Sequence, residues 1–400
     1  MAKQKMSTFE RLQSGKMNRK QRRELGRQLN LENTGLEVVH LNAAGIDIGN
    51  ESHFVAIPPD RDTAPIREFG SWTADLHEMA RWLKDHGIRT VAMQSTGVYW
   101  IAVQEVLEHA GLEVYLVNAR GTKNLPGRKS DVQECEWLRK LHTYGLLRNS
   151  FRPPEEIRAV RTIWRQRDRW IKESGRAVQQ MQKALTTMNV QLANAISDIS
   201  GVTGQTILRA IVAGIRDPWE LAKLRDYRIA ASEEEVANSL FGNWKEDVLF
   251  ELRQVLEAYD FYKKQIAACD QELTKYTAVV TTREITQKQD LPKDVSPLPS
   301  SKPARRPKTR SKNRPALDLA TELQRTFGVD LTQIDGIDVI TAQVIFSEIG
   351  PDFSAFPDEN HFASWLTLAP HRDISITIYF RKRNLNQNCS INGFSFFWPF

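Results

Sequence analysis

The chain changes its pattern abruptly at Pro153 and Pro154, and this change limits what it can fold into. Before the prolines, short apolar runs of strand length alternate with amphipathic segments of helix length. After them, apolar residues recur at heptad spacing through two long segments. The sequence therefore predicts a mixed α/β part followed by a part built from long helices.

The first part has a definite order of elements. Residues 43–58 predict two strands around a polar turn. Further strands are predicted over 66–72, 88–94 and 113–118, and helices over 75–85, 98–110 and 130–147. An antiparallel meander that leads into a βαβ unit predicts an α/β ribonuclease-H-like fold. Any other layered α/β sheet remains compatible with this order.

The second part contains two heptad series. They predict an antiparallel helical coiled-coil arm, which could serve in dimerisation or lie along a helical polyanion. The first series is Trp164, Ile171, Val178, Leu185 and Leu192, with Met181, Met188 and Ala195 at the intermediate positions. The second is Val248, Leu252, Val255, Tyr259, Tyr262, Ile266, Cys269 and Leu273.

Positive charge is concentrated rather than spread. The net charge is +6, yet residues 1–30 alone hold nine Lys or Arg against two Glu, and residues 281–315 hold ten against three acids, with six prolines. Each segment predicts a flexible basic arm; a solvated tail is the alternative for either one alone. Two such segments in one chain favour nucleic acid as the partner.

One face of the first long helix also carries positive charge. A nucleic-acid-binding stripe is one interpretation, and a solvated helix face is the other. The stripe is Arg158, Arg161, Arg165, Arg169, Lys172 and Arg176.

Composition narrows the class of protein further. Hydrophobic residues make up 41% and charged residues 26% of the chain, which is typical of a folded globular protein. No apolar run is long enough for a membrane span, and the N-terminus has no export signal. Cys135, Cys269 and Cys389 lie far apart, which predicts neither a disulfide framework nor a thiolate zinc site. We therefore expect a cytoplasmic, nucleoid-associated protein without membrane contact.

A smaller helical unit is predicted after the proline-rich segment. Its centre, Ile334 to Gly350, has the spacing of a helix-hairpin-helix, in which a tight glycine turn points backbone N–H groups at a phosphate. A weaker copy of the pattern lies 135 residues earlier, from Ile199 to Asp217. Asp338 places negative charge where a phosphate would bind, so an ordinary helical hairpin remains an alternative.

Three acids are candidates for phosphodiester chemistry. Asp47 ends the first strand between two glycines, and Asp131 and Glu134 share one face of a later helix. Carboxylates from separate elements can hold two magnesium ions about 4 Å apart. Acids that only complement a helix dipole are the alternative for the 131/134 pair. Actin-type kinases begin like the Asp47 strand, but the second phosphate loop and the adenosine site that they require are not found.

Four blocks together resemble a known family. They are the strand with Asp47, MQSTGVYW at 93–100, RKSDVQECEWLRKLHTYGLL at 128–147 with FRPP at 151–154, and IDGI at 334–337 through FASWL at 362–366. These blocks resemble the insertion-sequence transposases of the IS-one-ten family, in particular its IS-eleven-eleven branch. The likeness runs from about residue 40 to 375, and the 128–154 block is the most specific part.

The resemblance implies a RuvC-like domain with a D-E-D-D tetrad that binds Mg²⁺, a coiled-coil segment and a C-terminal domain with a nucleophilic serine. It also implies an RNA-guided DNA recombinase that works as a homodimer or homotetramer. The tetrad falls on Asp47, Gln94, Asp131 and Glu134, and the serine on Ser375. The metal ligands would be the three acids, and the residues that bind nucleic acid would be Arg128, Lys129, Arg158, Arg161, Arg165 and Arg169.

Six segments follow from these observations. They are a basic N-terminal arm (1–40), the RuvC-like domain (41–152), the helical coiled-coil region (153–280), a basic linker (281–315), the C-terminal transposase domain (316–375) and an atypical tail (376–400).

Two departures from the family pattern predict an impaired copy. Gln94 replaces an acid and removes one of four negative charges, whereas Glu134 in place of Asp retains its charge. The family pattern also stops after Ser375, where an aromatic-rich end replaces the expected glycines and basic helix. We expect an out-of-frame or fused end there, with a buried terminal strand as the alternative. A structure-selective junction nuclease and a non-catalytic DNA- or RNA-binding relic remain the alternative functions.

Overall fold

The structure is a computed structural model that describes residues 17, 19–29, 35–94, 97–118, 130–288, 313–315 and 318–366. The chain divides into two compact units, whose described residues lie in 17–151 and 152–366. The first unit is the predicted α/β part and the second is helical, so the change of pattern at Pro153 and Pro154 does mark a structural boundary.

A five-stranded mixed sheet forms the centre of the first unit. The strands are β1 (Ala43–Ile48), β2 (Ser52–Ala56), β3 (Ile66–Gly70), β4 (Thr90–Gln94) and β5 (Glu113–Val117). Their order across the sheet is β3-β2-β1-β4-β5, in which β1, β2 and β3 pair antiparallel and β1, β4 and β5 pair parallel. This mixed topology is compatible with the ribonuclease-H-like fold that the sequence predicts.

Helices cover both faces of this sheet. They are α1 (Arg19–Gln28), α2 (Thr73–Asp85), α3 (Trp100–His109) and α4 (Asp131–Thr143). Side chains of α2 and α3 join one core with Ile46 and Met93 of the sheet. Side chains of α4 join a second core with Ala92, which alternates with Met93 along β4. Every predicted strand and helix of this unit is present, with ends that differ by a few residues.

The basic N-terminal segment is in part a folded element, contrary to the flexible arm predicted there. Helix α1 carries Leu25, which is buried together with Leu29 and Met17 in the core that contains Trp137 and Leu138 of α4. Leu25 and Leu29 lie one helical turn apart and therefore share a face. Counting charges did not reveal this apolar face, which covers α4.

The second unit is dominated by two long helices. They are α5 (Glu155–Thr187) and, after α6 (Leu192–Ala195), α7 (Val202–Val212), α8 (Pro218–Ala222) and α9 (Glu233–Ser239), helix α10 (Glu246–Lys288). The long helices pack against each other, and each predicted heptad residue of α10 is buried or half-buried. The predicted linker from residue 281 begins within this helix. The supercoil itself remains a prediction.

The heptad face of α5 includes two polar residues. Arg167 and Ser174 are buried at positions of the stripe between apolar residues such as Trp164 and Met181. A buried arginine is costly unless it is paired, and Arg167 therefore requires a partner within the helical unit.

Three further helices and one 3-10 turn complete the second unit. They are α11 (Leu319–Phe327), the 3-10 turn Leu331–Gln333, α12 (Val339–Ile349) and α13 (Glu359–Trp365). Phe346 of α12 and Leu323 of α11 are buried in one core with Val160 of α5. The turn before α12 contains Gly336 at φ +93°, a left-handed conformation that favours glycine. The structure therefore has the tight glycine turn and the helix after it, whereas their assignment to a helix-hairpin-helix remains a prediction.

Candidate active site

Two neighbouring strands place Asp47 and Gln94 at the same end of the sheet. β1 and β4 are parallel and pair Ile46 with Met93, so that Asp47 and Gln94 follow one residue further along each strand. Side chains alternate between the two faces of a strand. Because Met93 lies in the core with α2 and α3, the side chains of Asp47 and Gln94 belong to the opposite face, which α4 covers.

Gly45 allows α4 to lie close to this end of β1. A Cβ at residue 45 would come within 2.3 Å of the carbonyl oxygen of Cys135 and of the backbone nitrogen of Arg139. Any side chain larger than hydrogen would therefore displace the helix. This close approach brings the first turn of α4 beside the end of β1.

The first turn of α4 supplies the other two predicted acids. Ser130 caps the helix by accepting a hydrogen bond from the Gln133 nitrogen at 3.4 Å. Asp131 and Glu134 follow in that turn, where negative charge is favourable because of the helix dipole. Asp131 is exposed, whereas Glu134 is half-buried. Only Glu134 of this pair therefore faces inward enough to meet the sheet.

Gln94 and Glu134 are in direct contact. The side-chain nitrogen of Gln94 donates a hydrogen bond to Oε1 of Glu134. Gln94 is only 5% exposed, and it is held at the end of a fully buried strand. The hydrogen bond therefore links the end of β4 to the first turn of α4.

Asp47 approaches the same turn of the helix. Burial raises the pKa of the Cys135 thiol to about 12, and the charge of Asp47 contributes to the increase. The thiol of Cys135 donates to the carbonyl oxygen of Val132 at 3.1 Å, so it is a structural group at neutral pH. The structure thus brings Asp47, Gln94 and Glu134 to one end of the sheet, with Asp131 exposed in the same helical turn.

The side chains of this site do not fit a D-E-D-D metal centre. Within the described ranges, no group of three or more His, Cys, Asp or Glu residues is arranged to hold a metal ion. An ionised carboxylate can only accept hydrogen bonds, so the Gln94 amide must turn its N–H toward Glu134. An amide N–H is not a metal ligand, and one oxygen of Glu134 is already engaged. The donor set is therefore poorer than the resemblance implies.

Two of the arginines predicted to bind nucleic acid contact a glutamate of their own unit. Arg165 forms a two-point contact with Glu348, with Nε 3.0 Å from Oε1 and Nη2 2.9 Å from Oε2. Nε of Arg161 lies 3.1 Å from Oε2 of the same carboxylate, and its Nη2 donates to the Glu348 carbonyl oxygen at the end of α12. These two guanidinium groups therefore attach α12 to α5. Arg169, from the same predicted stripe, is exposed.

Glu348 and the pair of Arg167 with Asp270 were not predicted from the sequence. Arg167 binds Asp270 of α10 and donates to the carbonyl oxygen of Asn313 at 3.0 Å. Its guanidinium carbon also lies 5.5 Å from the centre of the Trp164 ring. An acid inside the apolar run of 339–349 and an arginine inside a heptad stripe were the available signals for these pairs.

The hairpin predicted to hold a phosphate uses one backbone N–H at the start of α12 for its own cap. Asp338 caps α12 by accepting hydrogen bonds from the Thr341 nitrogen at 2.8 Å and the Thr341 hydroxyl at 2.7 Å. A phosphate at this position would meet the carboxylate of Asp338. Phosphate contact there remains a prediction.

Ser375, Arg128 and Lys129 lie outside the described residues. The candidate site is therefore described through its strand and helix residues, and the roles of the other three remain predictions. None of the helices in the described part of the chain is long and apolar enough to cross a membrane.

Comparison with known families identifies the class of protein. A DEDD transposase model matches residues 44–190, from β1 to the end of α5 and beyond, and a second transposase model, of the IS116/IS110/IS902 family, matches residues 330–384. The second range includes Ser375 and continues nine residues past it. Together the two ranges cover just over half of the chain, and they define a DNA transposase. No curated protein sequence matches the chain.

The chain belongs to the IS110 family of transposases, the family that the sequence blocks resemble. Membership implies that it binds DNA.

Proposed function

We propose that this chain acts at the DNA ends of its own insertion sequence, where it retains nucleic-acid binding but is impaired in strand cleavage. The observation that carries the proposal is the hydrogen bond from Gln94 to Glu134 at the end of the sheet. At the position where the family places its second acid, this chain has a neutral amide that donates to the fourth. Fewer negative charges at the site weaken its affinity for a divalent cation.

The family resemblance assigns the roles in cleavage. In the family, Mg²⁺ held by the acids at the positions of Asp47, Asp131 and Glu134 would stabilise negative charge at the scissile phosphate. The arrangement of these side chains in the described part of this chain does not fit that ion. Ser375 is the proposed nucleophile. Its hydroxyl loses the proton as the oxygen bonds to phosphorus, and the displaced strand leaves as a free hydroxyl. The phosphoserine would conserve the bond energy for rejoining to another strand.

The proposed partners are polyanions and further copies of the chain. DNA of the element ends and of the target, with a guide RNA, would meet the basic segments 1–30 and 281–315 and the exposed Arg169. A homodimer or homotetramer is proposed with them, and nucleoid association follows from DNA binding. Arg128 and Lys129, which precede the acidic helix, are proposed to contact the backbone near the cleaved bond.

A cleavage and binding assay tests this proposal. The native chain, Gln94→Glu and Ser375→Ala are each incubated with labelled element-end DNA, with and without guide RNA, in MgCl₂ or EDTA. We expect all three to bind element-end DNA more tightly than unrelated DNA. We also expect little cleavage by the native chain, more by Gln94→Glu, and none by Ser375→Ala.

Each other outcome has a definite meaning. Equal binding to element-end and unrelated DNA by the native chain would overturn the assigned substrate. Full cleavage by the native chain would contradict impairment. Cleavage that survives Ser375→Ala would instead support the junction nuclease. No cleavage by any variant, with binding retained, would support the non-catalytic relic, which the donor set at Gln94 favours as the second candidate.

A further inference from the structure

We propose that the Gln94 amide takes the place of a divalent cation, so that this end of the sheet is complete without metal. This proposal rests on the proposed function, which assigns Asp47 and Glu134 to one site. The stability of the folded site can be measured without DNA.

The first step is the balance of charge. Asp47, near the end of β1, and Glu134, in the first turn of α4, are two half-buried acids at one end of the sheet. Like charges repel more strongly in half-buried positions than in exposed ones. A third carboxylate at residue 94 would increase this repulsion, which a bound cation would relieve. A neutral amide adds no charge, and its N–H dipole offsets part of the charge of Glu134.

The second step is the rigidity of the donor. Gln94 is the last residue of β4, whose five residues are all buried, and its amide bridges to a helix that Gly45 holds close to β1. A donor fixed in this way requires little reorganisation to make its hydrogen bond. A cation that uses both oxygens of Glu134 would first have to break that bond. The native site therefore favours its metal-free form.

The third step compares this pair with a similar one in the same unit. On α3, the side-chain nitrogen of Gln104 donates to Oε1 of Glu108 at 2.6 Å, and Gln104 is 3% exposed. That pair lies within one helix, on the face of the sheet opposite to α4. Gln104→Glu therefore makes the same chemical change away from the candidate site and serves as the matched control.

The test measures thermal unfolding of the full chain in EDTA, MgCl₂ and MnCl₂ at matched ionic strength. A ligand that binds only the folded state raises the Tm. Because the native site is expected not to bind a divalent cation, MgCl₂ or MnCl₂ should shift the Tm of the native chain by less than about 1 °C. Gln94→Glu should unfold about 2–4 °C lower than the native chain in EDTA and recover at least that much in MgCl₂ or MnCl₂. Gln104→Glu should also be destabilised, without recovery specific to the divalent cations.

Two further measurements keep the inference falsifiable if Gln94→Glu does not fold. Gln94→Met removes the hydrogen bond without adding charge, and it should lower the Tm equally in EDTA and in MgCl₂. Titration calorimetry with MnCl₂ should give the same heat for the native chain as for Asp47→Asn. A Tm increase of the native chain in MgCl₂ that Asp47→Asn abolishes would overturn the inference. Failure of DNA binding would overturn the proposed function and leave this result unchanged.

Discussion

Two glutamates, one in each unit, have carboxylates that contact groups of different charge. Glu134 lies at the end of the sheet beside another acid and receives a neutral amide. Glu348 lies in the helical unit, where two arginines 3.1 Å and 2.9 Å from its Oε2 surround it with positive charge. The first contact joins a carboxylate to a neutral amide, whereas the second joins a carboxylate to two guanidinium groups of the same unit.

The comparison shows why the same residue type cannot be assigned a role from charge alone. The arginine stripe of α5 suggests nucleic-acid binding, yet two of its members hold α12 in place. The acids of α4 suggest a helix start that only complements the dipole, yet one of them reaches the sheet. Whether a charged side chain stabilises the fold or binds a ligand depends on which group it contacts, and that group can be far away in the sequence.

The largest effect should come from the most deeply buried charge of the helical unit. Arg167→Met removes the guanidinium from its buried pair with Asp270, and removing one member of a buried pair costs about 3–5 kcal/mol of unfolding free energy. Chemical denaturation of the full chain measures this loss. The exposed pair of Lys172 with Asp168 provides the control, because Lys172→Met should cost less than about 1 kcal/mol.

The double variant Arg167→Met with Asp270→Leu sharpens the result. It replaces both charges by apolar groups and should recover much of the stability that Arg167→Met loses. Equal losses for Arg167→Met and Lys172→Met would show that burial of the Arg167 pair has no energetic consequence.

The next effect concerns the α/β unit. Gly45→Ala introduces a Cβ that would lie 2.3 Å from two backbone atoms of α4, so the helix must move. We expect a loss of about 2–3 kcal/mol in unfolding free energy, as in an overpacked core. Hydrogen exchange of the α4 amides should increase at the same time, because the contact from Gln94 to Glu134 is disturbed.

Gly175 on α5 provides the opposite case. A Cβ there would meet nothing within 4 Å, so Gly175→Ala should stabilise its helix by about 0.5–1 kcal/mol. If Gly45→Ala were equally harmless, α4 would not depend on close packing against β1.

The sequence predicted the α/β unit well because its signals are local. Alternating apolar residues and turns give the strands, and two parallel neighbours necessarily bring the residues after Ile46 and Met93 together. The direction of the Gln94 amide could not be predicted, since it depends on how closely α4 approaches Gly45.

The helical unit shows the opposite limit of sequence prediction. Its heptads predicted α5 and the buried face of α10, but the partners of its charges could not be found from local patterns. Arg165 and Glu348 are 183 residues apart, and no short-range pattern connects them. The burial of α1 was not predicted for a related reason. Leu25 and Leu29 are buried by α4, which lies far from them in the sequence.

A smaller effect depends on pH and again concerns the α/β unit. His142 is buried, with its Nε2 2.8 Å from the Thr90 hydroxyl and its ring stacked on His40 at 4.5 Å. Burial, with a further contribution from the charge of His40, lowers its pKa to about 3. Because the unfolded chain holds the proton more tightly, folding stability is lost as the pH falls from 6.5 toward 3.

The expected slope is at most about 1.4 kcal/mol per pH unit, or about 2 kcal/mol between pH 6.5 and 5. His142→Leu removes this titration at the cost of the Thr90 contact, which should lower stability at every pH by a constant amount. Denaturation of both chains at pH 7, 6 and 5 should therefore give a flatter profile for the variant. Parallel profiles would show that His142 does not contribute to the acid sensitivity of the fold.

The smallest expected effect separates the two roles within the arginine stripe. Arg169 is exposed, so Arg169→Ala should leave the unfolding free energy within about 0.5 kcal/mol and remove one phosphate contact. The slope of log affinity for DNA against log salt should then fall by about 1. Arg165→Ala should lower the unfolding free energy and leave the salt slope unchanged. It breaks the two-point contact with Glu348 and thereby loosens α12 from α5. Measured on the same DNA, a lower salt slope for Arg165→Ala at unchanged stability would mean that Arg165 leaves Glu348 to bind DNA. The contact with Glu348 would then be only one of the states of Arg165.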